Sequence, residues 1–301
     1  MHRDSIDDLR KLFVGLDKKV NINGKGRIVP INFDNAATTP PFKRVVKRVL
    51  ETTEYYGSIA RGDGQKSQYC SDLYEECRRY ILKYFNAPEE IYTAIFVGNT
   101  TDGLNKLSNI LINNKEDIVI TTRMEHHSND LPWRNKCDLK YVEVNEDGRI
   151  NINEIEELIE RYKEKVKYIT ITGASNVTGY INDIRKISGL IHKYGGKIIV
   201  DGAQLVPHKK IYMYKKDSLE NIDFLVFSGH KIYAPFGSGA IIGLREDFNN
   251  NLPDTKGGGT VEYVIDNNQL WLNTPEKNEA GTPNLFGAVA IMEAMKEIEK
   301  I

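Results

Sequence analysis

Cysteine is scarce in this chain of 301 residues. Cys70, Cys77 and Cys137 form no C-x-x-C pair and no evident disulfide framework, and no H-E-x-x-H occurs, which argues against a zinc site. Long apolar runs are missing too. None approaches the ~18 residues that span a bilayer, and the charged N-terminus, MHRDSIDDLRKLF, lacks the apolar centre of a signal peptide. The expectation is a cytoplasmic protein with no membrane partner. Excess charge of either sign is absent: 41 Lys and Arg stand against 42 Asp and Glu, so nothing here calls for nucleic acid. The lysine-rich HKKIYMYKK (208–216) reads as a solvated loop. No G-x-x-x-x-G-K-[ST] loop occurs. No strand-turn-helix follows Gly24-Lys25-Gly26, and GGGT (257–260) lacks the lysine. No internal repeat or low-complexity tract interrupts the chain.

What the sequence does have is a steady alternation of strand-like and helix-like segments. Strands are expected at 92–97, 118–122, 139–144, 167–172, 197–201, 223–227 and 239–244. Most are continuous Ile- and Val-rich runs, the pattern of strands covered on both faces. Amphipathic helices lie between them. One spans 183–194, with Asp183 as cap and Gly195 after its end. Another spans 154–162, with Asn153 as cap. A third opens at Pro40-Pro41 and carries Val45, Val46, Val49 and Leu50. The expected fold is α/β: a mostly parallel seven-stranded sheet between helical layers. The last strand follows a short glycine-rich turn and so runs antiparallel. Residues 1–30 read as an arm outside the sheet.

In such a sheet ligands bind beyond the carboxyl ends of the strands. At those ends stand GNTTDGLN (98–105), RMEHHSND (123–130), GASNVTG (173–179), Asp201 with Gln204, and Ser228-Gly229-His230-Lys231. Taken singly each has an ordinary reading: a helix start, a lone histidine, a turn amide, a helix cap, a strand-end lysine reaching water. Taken together they fit pyridoxal 5′-phosphate (PLP). A lysine amine forms a Schiff base with its aldehyde, a carboxylate keeps its ring nitrogen protonated, a helix N-terminus takes its phosphate, and an imidazole stacks on its ring.

Eight stretches then carry a family resemblance: FDNAATTP (33–40), NTTDGLN (99–105), MEHHSNDLPW (124–133), SNVTG (175–179), VDGAQ (200–204), FSGHKIYAPFGSGAIIG (227–243), GGGTVEYV (257–264) and EAGTPN (279–284). With them the chain resembles the class V aminotransferases, fold-type I PLP enzymes, and among these the Suf-type cysteine desulfurases and selenocysteine lyases. The resemblance implies a PLP-binding large domain over 31–284. It makes Lys231 the Schiff-base lysine, Asp201 the partner of the pyridine nitrogen and His126 the stacking ring. Asn176 and Gln204 would bond the phenolic-oxygen side of the ring. Thr100, Thr101, Ser228 and His230 would hold the phosphate, and Thr282 would reach the phosphate of a neighbouring copy in a homodimer with shared sites. Arg61 matches a rim arginine. The implied reaction is cleavage of the C–S bond of a small amino acid, cysteine, with sulfur passed to an acceptor protein. Transaminase, lyase and epimerase activities of the same family, or a non-catalytic PLP binder, remain open.

The resemblance also implies more chain than is here. Residues 285–301 read as the start of a helix leading to a small C-terminal domain. The sequence stops at Ile301 inside that helix, with Val289, Met292 and Ile298 expected to lie uncovered. The implied C-terminal segment would carry the sulfur-accepting cysteine and a substrate-binding arginine, so a truncated chain is the expectation. Cys70 and Cys77 share a helical stripe with Leu73, Ile81 and Tyr84 and read as core. Cys137 matches no family nucleophile.

Overall fold

The computed structural model describes residues 9–24, 26–59 and 62–301, which form two compact units. Arg61 lies outside the described residues. The first unit takes the described residues up to Cys77, together with Gly229–Ser238 and Asn284–Ile301. It opens with an antiparallel hairpin, β1 (Val20–Ile22) and β2 (Gly26–Ile28), exposed throughout. Strands of three residues are too short to carry a periodic signal. The helix Lys43–Thr53 follows Pro40-Pro41 and buries Val45, Val49 and Thr52, whereas Leu50 is 62% exposed. It packs on the helix Leu285–Ile298, where Arg44 Nε lies 3.0 Å from Glu293 Oε1. This contact corrects an expectation. Val289 and Met292 are fully buried rather than uncovered, because residues distant in sequence supply the cover. Phe13, Phe42 and Tyr233, with ring centroids 4.5 to 5.4 Å apart, tie Gly229–Ser238 into the same unit. In the helix Gln65–Tyr84, the stripe Cys70, Leu73, Cys77, Ile81 and Tyr84 is buried, as its spacing implies.

The second unit takes Arg78–Ser228 and Gly239–Pro283. Its strands are β3 (Tyr92–Val97), β4 (Ile118–Thr122), β5 (Asp138–Val142), β6 (Val166–Thr172), β7 (Lys197–Asp201), β8 (Phe224–Ser228) and β9 (Gly239–Leu244). They form one sheet in the order β3-β9-β8-β7-β6-β4-β5. Only β9 runs antiparallel to its neighbours, with Gly239 opposite Ser228. The apolar runs placed the seven strands of this sheet to within two residues, because strands covered on both faces tolerate few polar interruptions. A hairpin of β10 (Val261–Ile265) and β11 (Asn268–Trp271) follows, largely exposed.

One core cluster sits where the helix Thr100–Leu111 meets the sheet. Leu104, Leu107 and Ile110 pack with Ile95, Val226, Ile241 and Phe248. Each such fully buried side chain contributes about 1.5–3 kcal/mol. Gly103 makes the close approach possible, since a Cβ there would stand 2.5 Å from Val226. The caps are Asp183 for the helix Ile184–His192, as expected, and Asn151 for the helix Ile152–Tyr162. The cap expected at Asn153 is thus displaced. Asn151 Oδ1 accepts from the Glu154 amide, which starts the helix earlier. A buried pair secures the segment EAGTPN. Arg78 meets Glu279 through two bonds of 2.9 and 3.0 Å, and Glu279 Oε1 also accepts from Phe96 N at 2.7 Å. Removing one partner of such a pair leaves a buried charge and costs about 3–5 kcal/mol.

A second buried pair makes stability depend on pH. His192 Nε2 lies 2.7 Å from Asp223 Oδ2, and its Nδ1 lies 2.5 Å from Leu219 O. Burial disfavours the imidazolium, but the hydrogen bond and charge of Asp223 outweigh it and raise the His192 pKa. A raised folded pKa adds stability in full below the unfolded value of ~6.5 and loses it as pH rises through the folded value. Urea unfolding from pH 6 to 9 should therefore show a falling stability in this range that His192→Gln flattens, with the two chains furthest apart at pH 6.

Candidate active site

β8, β7, β6 and β4 are adjacent and parallel, so their carboxyl ends share one edge of the sheet. Register places Thr172 beside Asp201 and Asp201 beside Val226, two residues before Ser228. In the second unit this edge gathers most of the residues singled out from the sequence.

The helix Thr100–Leu111 starts there. Asn99 caps it by accepting from Asp102 N at 2.9 Å, and Asp102 Oδ2 accepts from Gly98 N at 2.8 Å. Ser228 Oγ accepts from Thr100 N at 2.8 Å and lies 2.7 Å from Thr100 Oγ1, both residues being buried. Thr101 Oγ1 is 2.6 Å from Ser128 Oγ, which is 2.9 Å from His126 Nδ1. Four hydroxyls, those of Thr100, Thr101, Ser128 and Ser228, thus gather at a helix N-terminus, a donor set suited to an anion.

His126 follows β4 and caps the four-residue helix His127–Asp130. Its Nδ1 accepts the Ser128 amide at 3.2 Å. A backbone N–H can only donate, so the proton of the neutral ring sits on Nε2. His126 and Asn176 are exposed and line a common cleft of about 580 Å³, together with His127, Ser175 and Thr178. The turn at Asn176 is held by Ser175, whose Oγ accepts from Val177 N and Thr178 N at 3.2 and 3.1 Å. The Asn176 amide is therefore not needed for the turn. Asp201 is buried and its Oδ1 accepts from Ala203 N at 2.9 Å. Turns follow it instead of a helix, which removes its reading as a helix cap, and Gln204 lies half-buried in them. Thr282 is exposed.

Lys231 and His230 belong to the first unit, in the turn Gly229–Lys231. The threonines of FDNAATTP clamp this turn. His230 O accepts from Thr39 N (3.1 Å), Thr39 Oγ1 (3.0 Å) and Thr38 Oγ1 (3.2 Å), while Thr39 Oγ1 accepts from Tyr233 N at 2.8 Å. Gly229 has no alternative, because a Cβ would stand 2.9 Å from Ser238 O. Lys231 is half-buried. Burial, and then the Lys231 charge, lower the His230 pKa.

Sequence reasoning overlooked Thr38, Thr39, Ser128, Asn129 and Glu125. The last two follow β4 at a spacing of four, but only the folded chain shows what they touch. Glu125 Oε1 accepts from Thr122 Oγ1 at 2.7 Å and Oε2 from Asn129 Nδ2 at 2.6 Å. Burial pushes its carboxyl up to about 8 against those bonds and one from the Thr172 backbone, and the Asp201 charge adds to the rise.

Residues 31–301 match the family described as Aminotransferase class-V. A probable cysteine desulfurase of Borreliella burgdorferi is 37% identical over 99% of this chain and 71% of its own length. A cysteine desulfurase of Wigglesworthia glossinidia brevipalpis is 32% identical over 98% of this chain and 72% of its own. In fold, the apo cysteine desulfurase of Thermococcus onnurineus superposes with a TM-score of 0.81 at 32% identity, over 89% of this chain and 67% of that one. The seven-stranded sheet with its single antiparallel strand agrees with that neighbour, and on these matches the chain belongs to the class-V aminotransferase family.

Proposed function

We propose that this chain is a PLP-dependent enzyme of the cysteine desulfurase kind. The observation that carries the reading is the donor set on the carboxyl edge of the sheet. A buried carboxylate, Asp201, follows β7, an exposed imidazole, His126, follows β4, and the Thr100 and Ser228 hydroxyls meet at a helix start. That set fits the cofactor's pyridine nitrogen, ring face and phosphate in turn. The relatives' names support the choice of reaction.

When bound, PLP supplies an electron sink for charge developing on the substrate's α-carbon. Lys231 Nζ would bind its aldehyde and move the proton at that α-carbon. Asp201 would hold the proton on the ring nitrogen. His126 would orient the ring, Asn176 and Gln204 would bond its phenolic oxygen, and Thr100, Thr101, Ser228 and His230 would hold the phosphate. The exposed Thr282 serves the same site in a neighbouring copy, so the active form is a homodimer. Residues 31–284 act as the cofactor-binding domain, with 1–30 as an arm. The substrate is a small amino acid, cysteine, and an acceptor protein takes up the sulfur. A cytoplasmic location suits this chemistry, and among the described residues no helix is long and apolar enough to cross a membrane.

A second reading has an observation in its favour. None of the three cysteines suits the role of sulfur-accepting nucleophile. Cys70 and Cys77 are fully buried, and burial followed by the Asp138 and Asp117 charges pushes the Cys137 thiol up to about 11. With these thiols alone, another reaction of the family on the same cofactor site, such as transamination or elimination, is the alternative.

Mixing the chain with PLP should give a visible absorption band that Lys231→Ala abolishes and Asp201→Asn shifts. With L-cysteine and an external thiol that takes up the sulfur as a persulfide, alanine should form, and Lys231→Ala should slow it by about 10²–10⁴-fold. Pyruvate or an oxo-acid in place of alanine would favour the second reading, and a folded chain that takes up no PLP would refute both. Alkylation at pH 7.5 should leave all three cysteines unmodified until the chain unfolds. For Cys137, thiolate fraction alone slows the reaction roughly 300-fold relative to a free thiol. Rapid labelling of native Cys137 would contradict this account of its thiol.

A further inference from the structure

Beyond the ends of β4 and β6 the chain gathers a polar network that the proposed chemistry does not use. Thr122 Oγ1 donates to Glu125 Oε1 and accepts from Met124 N at 3.1 Å. Asn129 Nδ2 donates to Glu125 Oε2, and the Thr172 backbone also bonds this carboxyl. Asn129 Oδ1 accepts from Thr170 Oγ1 at 2.5 Å and from Trp133 Nε1 at 3.3 Å. Asn129, Thr170 and Trp133 are 0% exposed and Thr122 is 1% exposed. Glu125 as a residue is half-buried, with its carboxyl turned inward onto these donors.

Stability alone gives little reason for such a network. Apolar side chains of the same shape would fill the space at similar or lower free energy. A network whose members are all satisfied does something else: it specifies one arrangement of the backbone that carries it. Glu125 and Asn129 stand on either side of the His126–Ser128 turn, and Asn129 N closes that turn on His126 O at 2.7 Å. Glu125 reaches back to β4 and β6, and Asn129 reaches across to β6.

We propose that Glu125 and Asn129 are positioning residues that staple the His126 turn to β4 and β6 and so fix the face the imidazole presents to the cofactor. The cofactor in this statement rests on the function proposed above; the staple does not. The geometry carries a chemical consequence. The neutral contacts of the carboxyl are Thr122 from β4, Thr172 from β6 and Asn129 from its own segment, and Asp201 on β7 is the charged group acting on it. Burial holds it up to about 8, so it is mainly an acid at pH 7. Above that value it becomes a carboxylate that only accepts, and the staple gains a negative charge beside the His126 turn.

Histidine-selective ¹⁵N and ¹³C NMR of the full chain without cofactor tests this, with His126→Asn identifying the signal. The wild-type His126 resonance should show an inflection near pH 8, where Glu125 ionises. Glu125→Gln, an uncharged isostere, should keep the wild-type shift at pH 7 and lose that inflection. Asn129→Ala and Glu125→Ala should move the resonance toward that of an unrestrained histidine at every pH. A resonance unchanged in Asn129→Ala, or an inflection that persists in Glu125→Gln, would overturn the proposal. The Gln variant keeps the test decisive even where an Ala variant fails to fold. Visible absorbance with added PLP separates the two claims. A wild-type chain that binds none defeats the cofactor reading while the NMR comparison still judges the staple.

Discussion

The register with which β6, β7 and β8 pair decides what the carboxyl edge of the sheet can offer. Thr172 stands beside Asp201, and Asp201 beside Val226, so Ser228 projects two residues further. A slip of one residue would turn each side chain to the opposite face of the sheet. The Asp201 carboxylate and the Ser228 hydroxyl would then leave the groups they serve. Ile198, Ile199 and Val200, like Phe224 through Phe227, are fully buried, so the paired strands are covered on both faces. Packing also sets the corner where the hydroxyls meet, because Gly103 lets the helix Thr100–Leu111 close on Val226 until Thr100 N reaches Ser228 Oγ.

Around that edge the charges have been sorted by environment. The Asp201 charge bears on Glu125, and burial keeps Glu125 protonated near neutral pH, where it holds a turn. In the first unit a different device acts on the turn that carries Lys231. Thr38 and Thr39 direct three donors at the carbonyl of His230 and fix the backbone one residue before the lysine. The backbone that carries the lysine is thereby set.

Much of this was legible in the sequence. Continuous Ile and Val runs marked the strands, since burial on both faces leaves little choice of residue. Reading the strand ends named Asp201, His126, Asn176 and Lys231 before any contact was known. Asn153 was misread as a cap because two asparagines stand two residues apart and only backbone geometry distinguishes them. The cover over Val289 and Met292 was invisible because it comes from Lys43–Thr53, far away in the chain. Glu125 and Asn129 escaped notice for a similar reason. A glutamate and an asparagine after a strand read as solvated loop, and their role exists only once Thr122, Thr170 and Thr172 are brought beside them. Thr38 and Thr39 were legible as part of a family motif but not as a clamp.

The central claim is that this chain binds pyridoxal phosphate through Lys231. Borohydride reduction of the PLP-treated chain, followed by peptide mapping, tests it most directly. The account predicts one dominant phosphopyridoxyl adduct, on Lys231, among the chain's many lysines. A folded chain with no adduct, or with label spread over exposed lysines while Lys231 stays unmodified, would contradict it.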